Sequence, residues 1–198
     1  MRYSARMRLC VFCGSSSGRS PAYAAAARAV GELFARRRIG LVYGGGNVGL
    51  MGIVADAARA AGGEVIGVIP RPLVDRELAH AGLTELHVVG SMHERKQRMH
   101  DLADGFVALP GGFGTLDELF EALTWAILGV HQKPCGLLDV DGFWAPLLRL
   151  VEQQVAEEFV QPRYAGLLLH ASSAEELLDR FAAYQPPALS KWVRPSET

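Results

Sequence analysis

Phe106-Val107-Ala108-Leu109-Pro110-Gly111-Gly112-Phe113-Gly114-Thr115-Leu116-Asp117-Glu118 is the stretch on which the reading of the fold turns. Its first four residues are an apolar run of the kind that forms a buried strand. Beyond the glycines, Leu116, Leu119, Phe120, Leu123 and Ile127 recur at the spacing of one helix face. A strand, a glycine-rich turn and a helix make one unit of an α/β fold. The turn is also a ready-made anion site, because bare glycines let backbone N–H groups close on an oxyanion and the helix end adds favourable partial charge. Thr115 offers a hydroxyl in the same place. Glu118 would repel a bound anion unless aimed at another part of the ligand. The pattern therefore suits a phosphorylated substrate whose chemistry lies beside the phosphate. Thr115-x-x-Glu118 reads equally as a capping box, in which the two side chains satisfy the helix's own N–H groups. The three glycines, which a cap does not need, tip the balance toward a ligand.

Working outward, short apolar runs alternate with helical patterns along the whole chain. Strand-like runs fall at 9–12, 41–43, 65–69, 86–89, 106–109, 136–140 and, more weakly, 167–170. Helices are expected at 22–37, 50–61, 92–103, 115–129, 143–158 and 173–184. Ser20-Pro21 supplies an N-cap with proline at the first helical position, and Ser91-x-x-Glu94 is another capping box. This alternation predicts an α/β, Rossmann-like parallel sheet of about seven strands with helices on both faces. Residues 1–184 form one nucleotide-binding domain in this reading, and 185–198, with three prolines, a C-terminal tail. Ligands in such folds sit at the carboxyl ends of the strands, where strand order reverses. Segments 14–18, 44–52 and 111–114 all follow strands, so all three can line that rim.

Composition narrows the function. Among 198 residues, 20 basic against 21 acidic side chains leave no excess to attract nucleic acid or an anionic membrane. No apolar run approaches a membrane span, and residues 1–8 resemble no leader, so a soluble, cytoplasmic protein is expected. Three cysteines make no disulfide framework. Cys10-x-x-Cys13 lies within a strand, whereas redox pairs favour a helix N-terminus, so both read as packing residues.

Tyr43-Gly44-Gly45-Gly46-Asn47-Val48-Gly49 contains a formal G-x-G-x-x-G, but the next strand ends Val68-Ile69-Pro70-Arg71, without the acid a dinucleotide ribose requires. Gly45 and Gly46 fit a supporting wall of a nucleotide pocket better than a dinucleotide cradle. On the helix at 92–103, Met92, Met99 and Leu102 form an apolar stripe that Arg95 shares, with Lys96 at its edge and Arg98 solvated. An inward arginine needs an anionic partner. Glu118 lies beyond the very next strand, so the two helix starts can face one another across a cleft. Glu121, one turn on, leaves the choice of working acid open. Ser15 either donates to a ligand or only makes a turn. The six histidines include no zinc spacing; His93 and His100 share a face but lack a third ligand, so no metal is expected. Trp125, opposite the Leu119/Leu123 stripe, suggests an apolar face for a partner unless the same chain covers it.

Pro110-Gly111-Gly112-x-Gly114-Thr115-x-x-Glu118, with Met92-His93-x-Arg95-Lys96, Tyr43-Gly44-Gly45-Gly46 and Gly49-Leu50-Met51-Gly52, resembles the LOG ("lonely guy") family of cytokinin riboside 5′-monophosphate phosphoribohydrolases. The likeness runs from about residue 9 to 184 and includes Cys13-Gly14-Ser15-Ser16, Val68-Ile69-Pro70 and Val140-Asp141-Gly142. Older usage labels such proteins lysine decarboxylases, but no lysine here has a pyridoxal phosphate context. The resemblance implies hydrolysis of a purine nucleoside 5′-monophosphate, AMP or a cytokinin nucleotide, to free base and ribose 5-phosphate, with no cofactor. By position it makes Arg95 and Glu118 the catalytic pair. It makes Glu77, Lys96, Gly112, Phe113, Gly114, Thr115, Leu116, Asp117 and Thr124 substrate contacts. It also implies a homodimer. The alternative is a non-catalytic carrier of a nucleotide or pterin phosphate, which would have no use for a carboxylate at a developing cation.

Overall fold

The computed structural model describes residues 7–76 and 79–187. Seven strands, β1 (Arg8–Phe12), β2 (Gly40–Tyr43), β3 (Val65–Pro70), β4 (Glu85–Val89), β5 (Gly105–Ala108), β6 (Cys135–Leu138) and β7 (Leu168–Ala171), form one sheet in the order β4-β3-β2-β1-β5-β6-β7. Every pairing is parallel. β1 lies at the centre, with Cys10 opposite Val42 of β2 on one side and Phe106 of β5 on the other. The chain builds outward from β1 to β4, then crosses to β5 and builds the other way. The β1/β5 junction is therefore the point where strand order reverses.

Central strands are buried on both faces, which is why they read as continuous apolar runs. Leu9, Val11, Leu41 and Tyr43 pack against α1 (Pro21–Arg37), α2 (Gly49–Ala60) and α8 (Ala174–Ala183). Cys10, Phe12, Val42 and Phe106 face the other way, toward α4 (Met92–Leu102), α5 (Phe113–Ile127) and α6 (Ala145–Ala156). Ser20 caps α1 by accepting from the Ala22 N–H, and Ser91 caps α4 by accepting from the Glu94 N–H at 3.1 Å. The Glu94 carboxylate returns to the Gly90 N–H at 2.7 Å. All three cysteines are free and buried, as packing residues should be.

Several local readings are corrected. Two short helices, α3 (Arg71–Val74) and α7 (Pro162–Ala165), each carry proline near their start and are too brief to show a period. β6 ends at Leu138: the Asp139 N–H still donates to Ala171 O of β7 at 2.8 Å, but its carboxylate accepts from the Trp144 N–H, and Asp141 and Gly142 then turn the chain away with positive φ. Met92 is 47% exposed: as the first residue of α4 it stands at the rim, and only Arg95, Met99 and His100 are buried on that helix. His93 is exposed for the same reason, so His93 and His100 do not share surroundings. Trp125 is half-buried, with one side of its ring packed 4.6 Å from that of His100 on α4, so the same chain covers part of that face. Of the expected tail, 188–198 lie outside the described residues.

Candidate active site

The three glycine segments meet at the β1/β5 junction. The Gly14 N–H donates to Pro110 O at 3.1 Å, and the Leu50 N–H donates to Gly14 O at 3.0 Å. α5 begins at Phe113, two residues earlier than its apolar pattern shows, with Gly112 as an extended N-cap. No side chain caps it and no acid stands in its first turn, so its leading N–H groups face the rim unshared. The glycines divide the labour. A methyl on Gly111 would strike Thr115 and come within 2.9 Å of Gly14 N, so Gly111 is required by packing. A methyl on Gly112 or Gly114 would meet nothing within 4 Å, so these two keep open the space in front of the helix end.

That helix start overturns the capping-box reading. Thr115 and Glu118 are both inside the helix, past the cap, and Glu118 is turned toward α4. Arg95 Nη1 donates to Glu118 Oε1 at 2.8 Å, with both side chains 10% exposed. Arg95 Nε donates to Val68 O at 3.1 Å. Burial pushes the Glu118 carboxyl above the ordinary glutamate value, and the Arg95 guanidinium beside it pulls the other way. Lys96, beside this pair, is held by Asp117 at 3.1 Å and Glu121 at 3.0 Å.

A cavity of about 260 Å³ opens over the pair, lined by Cys13, Gly14, Ser15, Met51, Arg95, Gly112, Phe113, Gly114, Thr115 and Glu118. The structure thus brings together Arg95, Glu118, Ser15 and residues 112–115. It leaves Glu121 engaged with Lys96 outside that lining, which separates the two candidate acids. Leu116 packs into the core. Asp117 stands at the edge with Lys96, and Thr124 is exposed with its hydroxyl donating to Phe120 O at 2.7 Å. Gly45 and Gly46 are buried behind the site, where Gly45 O accepts from the His80 N–H and Gly46 bridges to Ala79. Glu77 lies outside the described residues. Met51 and Cys13 enter the lining without having been singled out by chemistry; the signal was their place in the motifs Gly49-Leu50-Met51-Gly52 and Cys13-Gly14-Ser15-Ser16, beside glycine turns. Burial raises the Cys13 thiol well out of the reactive range. Among the described residues no cluster of three metal-ligating side chains occurs.

Residues 51–181 match the family model described as "Possible lysine decarboxylase". A cytokinin riboside 5′-monophosphate phosphoribohydrolase of Arabidopsis thaliana is 49% identical over 179 residues, which is 90% of this chain and 82% of that protein. One from Oryza sativa subsp. japonica is 46% identical over 185 residues, covering 93% of this chain and 76% of its own. Among solved structures, the molybdenum cofactor binding protein from the phototrophic bacterium Rippkaea orientalis superposes with a TM-score of 0.69 at 24% identity, covering 91% of this chain and 98% of that one. The molybdenum cofactor carrier protein from Chlamydomonas reinhardtii gives 0.66 at 21% identity, with 90% and 99% covered. At that identity the two structures speak for the fold alone.

Proposed function

This chain belongs to the LOG family of cytokinin riboside 5′-monophosphate phosphoribohydrolases, and we propose that it hydrolyses purine nucleoside 5′-monophosphates to free base and ribose 5-phosphate. The observation that carries this reading is the placing of a buried Arg95–Glu118 pair in the same cavity as the uncapped start of α5. The helix end suits the 5′-phosphate, held by the N–H groups of residues 113–115 and the Thr115 hydroxyl. With the phosphate there, the ribose extends toward Glu118. Breaking C1′–N9 leaves its electron pair on the departing base, which takes up a proton, and builds positive charge on the ribose. The Glu118 carboxylate stabilises that charge until water adds at C1′ and loses a proton. Arg95 aims Glu118 and opposes the protonation that burial favours. Lys96, Leu116, Asp117, Thr124 and Glu77 are proposed substrate contacts on family position.

The test is direct. Incubation with AMP and with isopentenyladenosine monophosphate should release free base from at least one. Tight binding without release from either would make the protein a carrier and overturn the enzyme reading. A cytoplasmic homodimer belongs to the same proposal. No helix among the described residues is long and apolar enough to cross a membrane, and Phe113 and Phe120 on α5 present apolar surface that a second subunit would cover. A monomer mass by light scattering at micromolar concentration would count against the dimer.

A further inference from the structure

Gly44 follows β2 and is the first of three successive glycines, yet it has no turn to make. Gly45 and Gly49 have φ of +73° and +58°, where a side chain is strained. Gly44 lies outside that region, so its backbone would accept alanine. What forbids a methyl there is Arg95. A Cβ on Gly44 would clash with Arg95 Nη2, stand 3.0 Å from Cζ, and lie 3.2 Å from Met51 Sδ. The guanidinium fills the space that the missing side chain leaves.

We propose that Gly44 is a positioning residue for catalysis, its bare Cα forming the slot that aims the Arg95 guanidinium at Glu118. The inference rests on the hydrolase reading above. The guanidinium is a rigid planar fork. Its Nε is fixed on Val68 O at 3.1 Å, its Nη1 on Glu118 at 2.8 Å, and its Nη2 over Gly44. The plane cannot move at one arm without moving at the others. A methyl on Gly44 therefore displaces the whole fork and takes Nη1 off the carboxylate. Glu118 would then keep its burial while losing its nearest cation. The charges left around it are Asp117 on its own helix and Lys96 on α4, already held by Asp117 and Glu121, with the neutral thiols of Cys10 and Cys13 on the β1 side. The carboxylate would protonate more readily, and the acid side of the rate profile would move up. The displaced atom ends a flexible side chain, so the fold itself has little reason to fail.

The experiment compares wild type, Gly44→Ala, Arg95→Lys and the double variant on AMP, with melting temperatures and pH profiles for each. Gly44→Ala should lower kcat by about 100-fold, as loss of one preorganised electrostatic partner does, with a smaller change in KM. Its acid limb should move to higher pH while its melting temperature stays near wild type. In the Arg95→Lys background, whose ammonium has no Nη2 arm to displace, adding Gly44→Ala should change kcat by no more than about threefold, the non-additivity expected of residues acting as one unit. Gly105→Ala, tight against Leu9 and Pro134 at the far end of β5, serves as the structural control: it should lower the melting temperature and leave the acid limb in place. An active wild type whose Gly44→Ala form keeps its rate and acid limb would overturn the positioning role. So would losses equal in both backgrounds. A wild type that releases no base would overturn the hydrolase reading and this inference with it.

Discussion

Glu118 and Glu121 stand one turn apart on the same helix, and the structure separates them by their partners. Glu118, buried, faces Arg95 in the cavity; Glu121 faces Lys96 at its edge. Glu118→Gln keeps shape and an acceptor for Arg95 but removes the charge. Its kcat on AMP should fall by 10²-fold or more, about 2.7 kcal/mol of transition-state stabilisation, while AMP still binds. Glu121→Gln should do far less. A Glu118→Gln enzyme with near-normal kcat would move the catalytic role elsewhere. The pH dependence follows from the same burial. In the proposed mechanism the working form of Glu118 is ionised, and burial raises its value from the ordinary glutamate one, so the rate should fall as pH drops through a point above the ordinary range. For stability the sign is opposite: a raised carboxyl favours folding when protonated, and that contribution is lost as pH rises through the raised value.

At the scale of the element, α5 is a helix whose N-terminus no side chain caps, which is what the proposed phosphate site requires. Replacing Gly114 by Ala adds a methyl where nothing stands within 4 Å, and alanine favours a helix by up to about 1 kcal/mol over glycine, so the fold should be as stable or more so. The methyl would nonetheless stand in the approach to the proposed phosphate site, and KM for AMP should rise at least about tenfold, the loss of a charge-assisted hydrogen bond or two. Gly111→Ala should do the reverse and cost stability, through Thr115 and Gly14. If the helix end holds the phosphate as proposed, that binding is remote from C1′ and positions the sugar, so adenosine should show lower turnover as well as weaker binding. Similar kcat/KM for adenosine and AMP would mean that the helix end holds something else.

At the scale of the whole molecule, the layer between α4 and α5 closes around two buried histidines. The His100 ring lies 4.4 Å from Phe106, 4.6 Å from Trp125 and 4.5 Å from His131. His131 Nε2 is paired with Ala122 O at 2.8 Å. Burial, with Lys133 nearby, pushes His131 down to about 4, and burial, His131 and Lys133 push His100 down to about 2. Both are neutral in the fold and take up protons on unfolding. Their contribution is complete above 6.5 and is lost as pH falls, down to about 4 for one and about 2 for the other. The slope is about 1.4 kcal/mol per pH unit for each. Urea midpoints at pH 7.5 and pH 5 should differ accordingly, and His100→Phe should reduce the difference. A midpoint unchanged between the two would show that these histidines titrate normally.

What the sequence determined by itself was everything carried by short-range pattern. Apolar runs separated by 3.6-residue periods placed all seven strands and the six longer helices, because a strand buried on both faces and an amphipathic helix each write their burial into neighbouring residues. Ser20 and Ser91 marked their helix starts, because a cap is a contact across two or three residues. The glycine-rich turns placed the rim. The pairing of Arg95 with Glu118 could be anticipated only as two helix starts facing a common cleft; their contact joins residues 23 apart and needed the sheet to set α4 and α5 side by side on one face. Tertiary structure alone decided that Glu118 turns to Arg95 instead of capping its helix, that Met92 stays at the rim, and that Trp125 packs on His100 of α4. It also decided why Gly44 is a glycine. Each of those outcomes depends on what a second element places opposite the residue, and no local period records that.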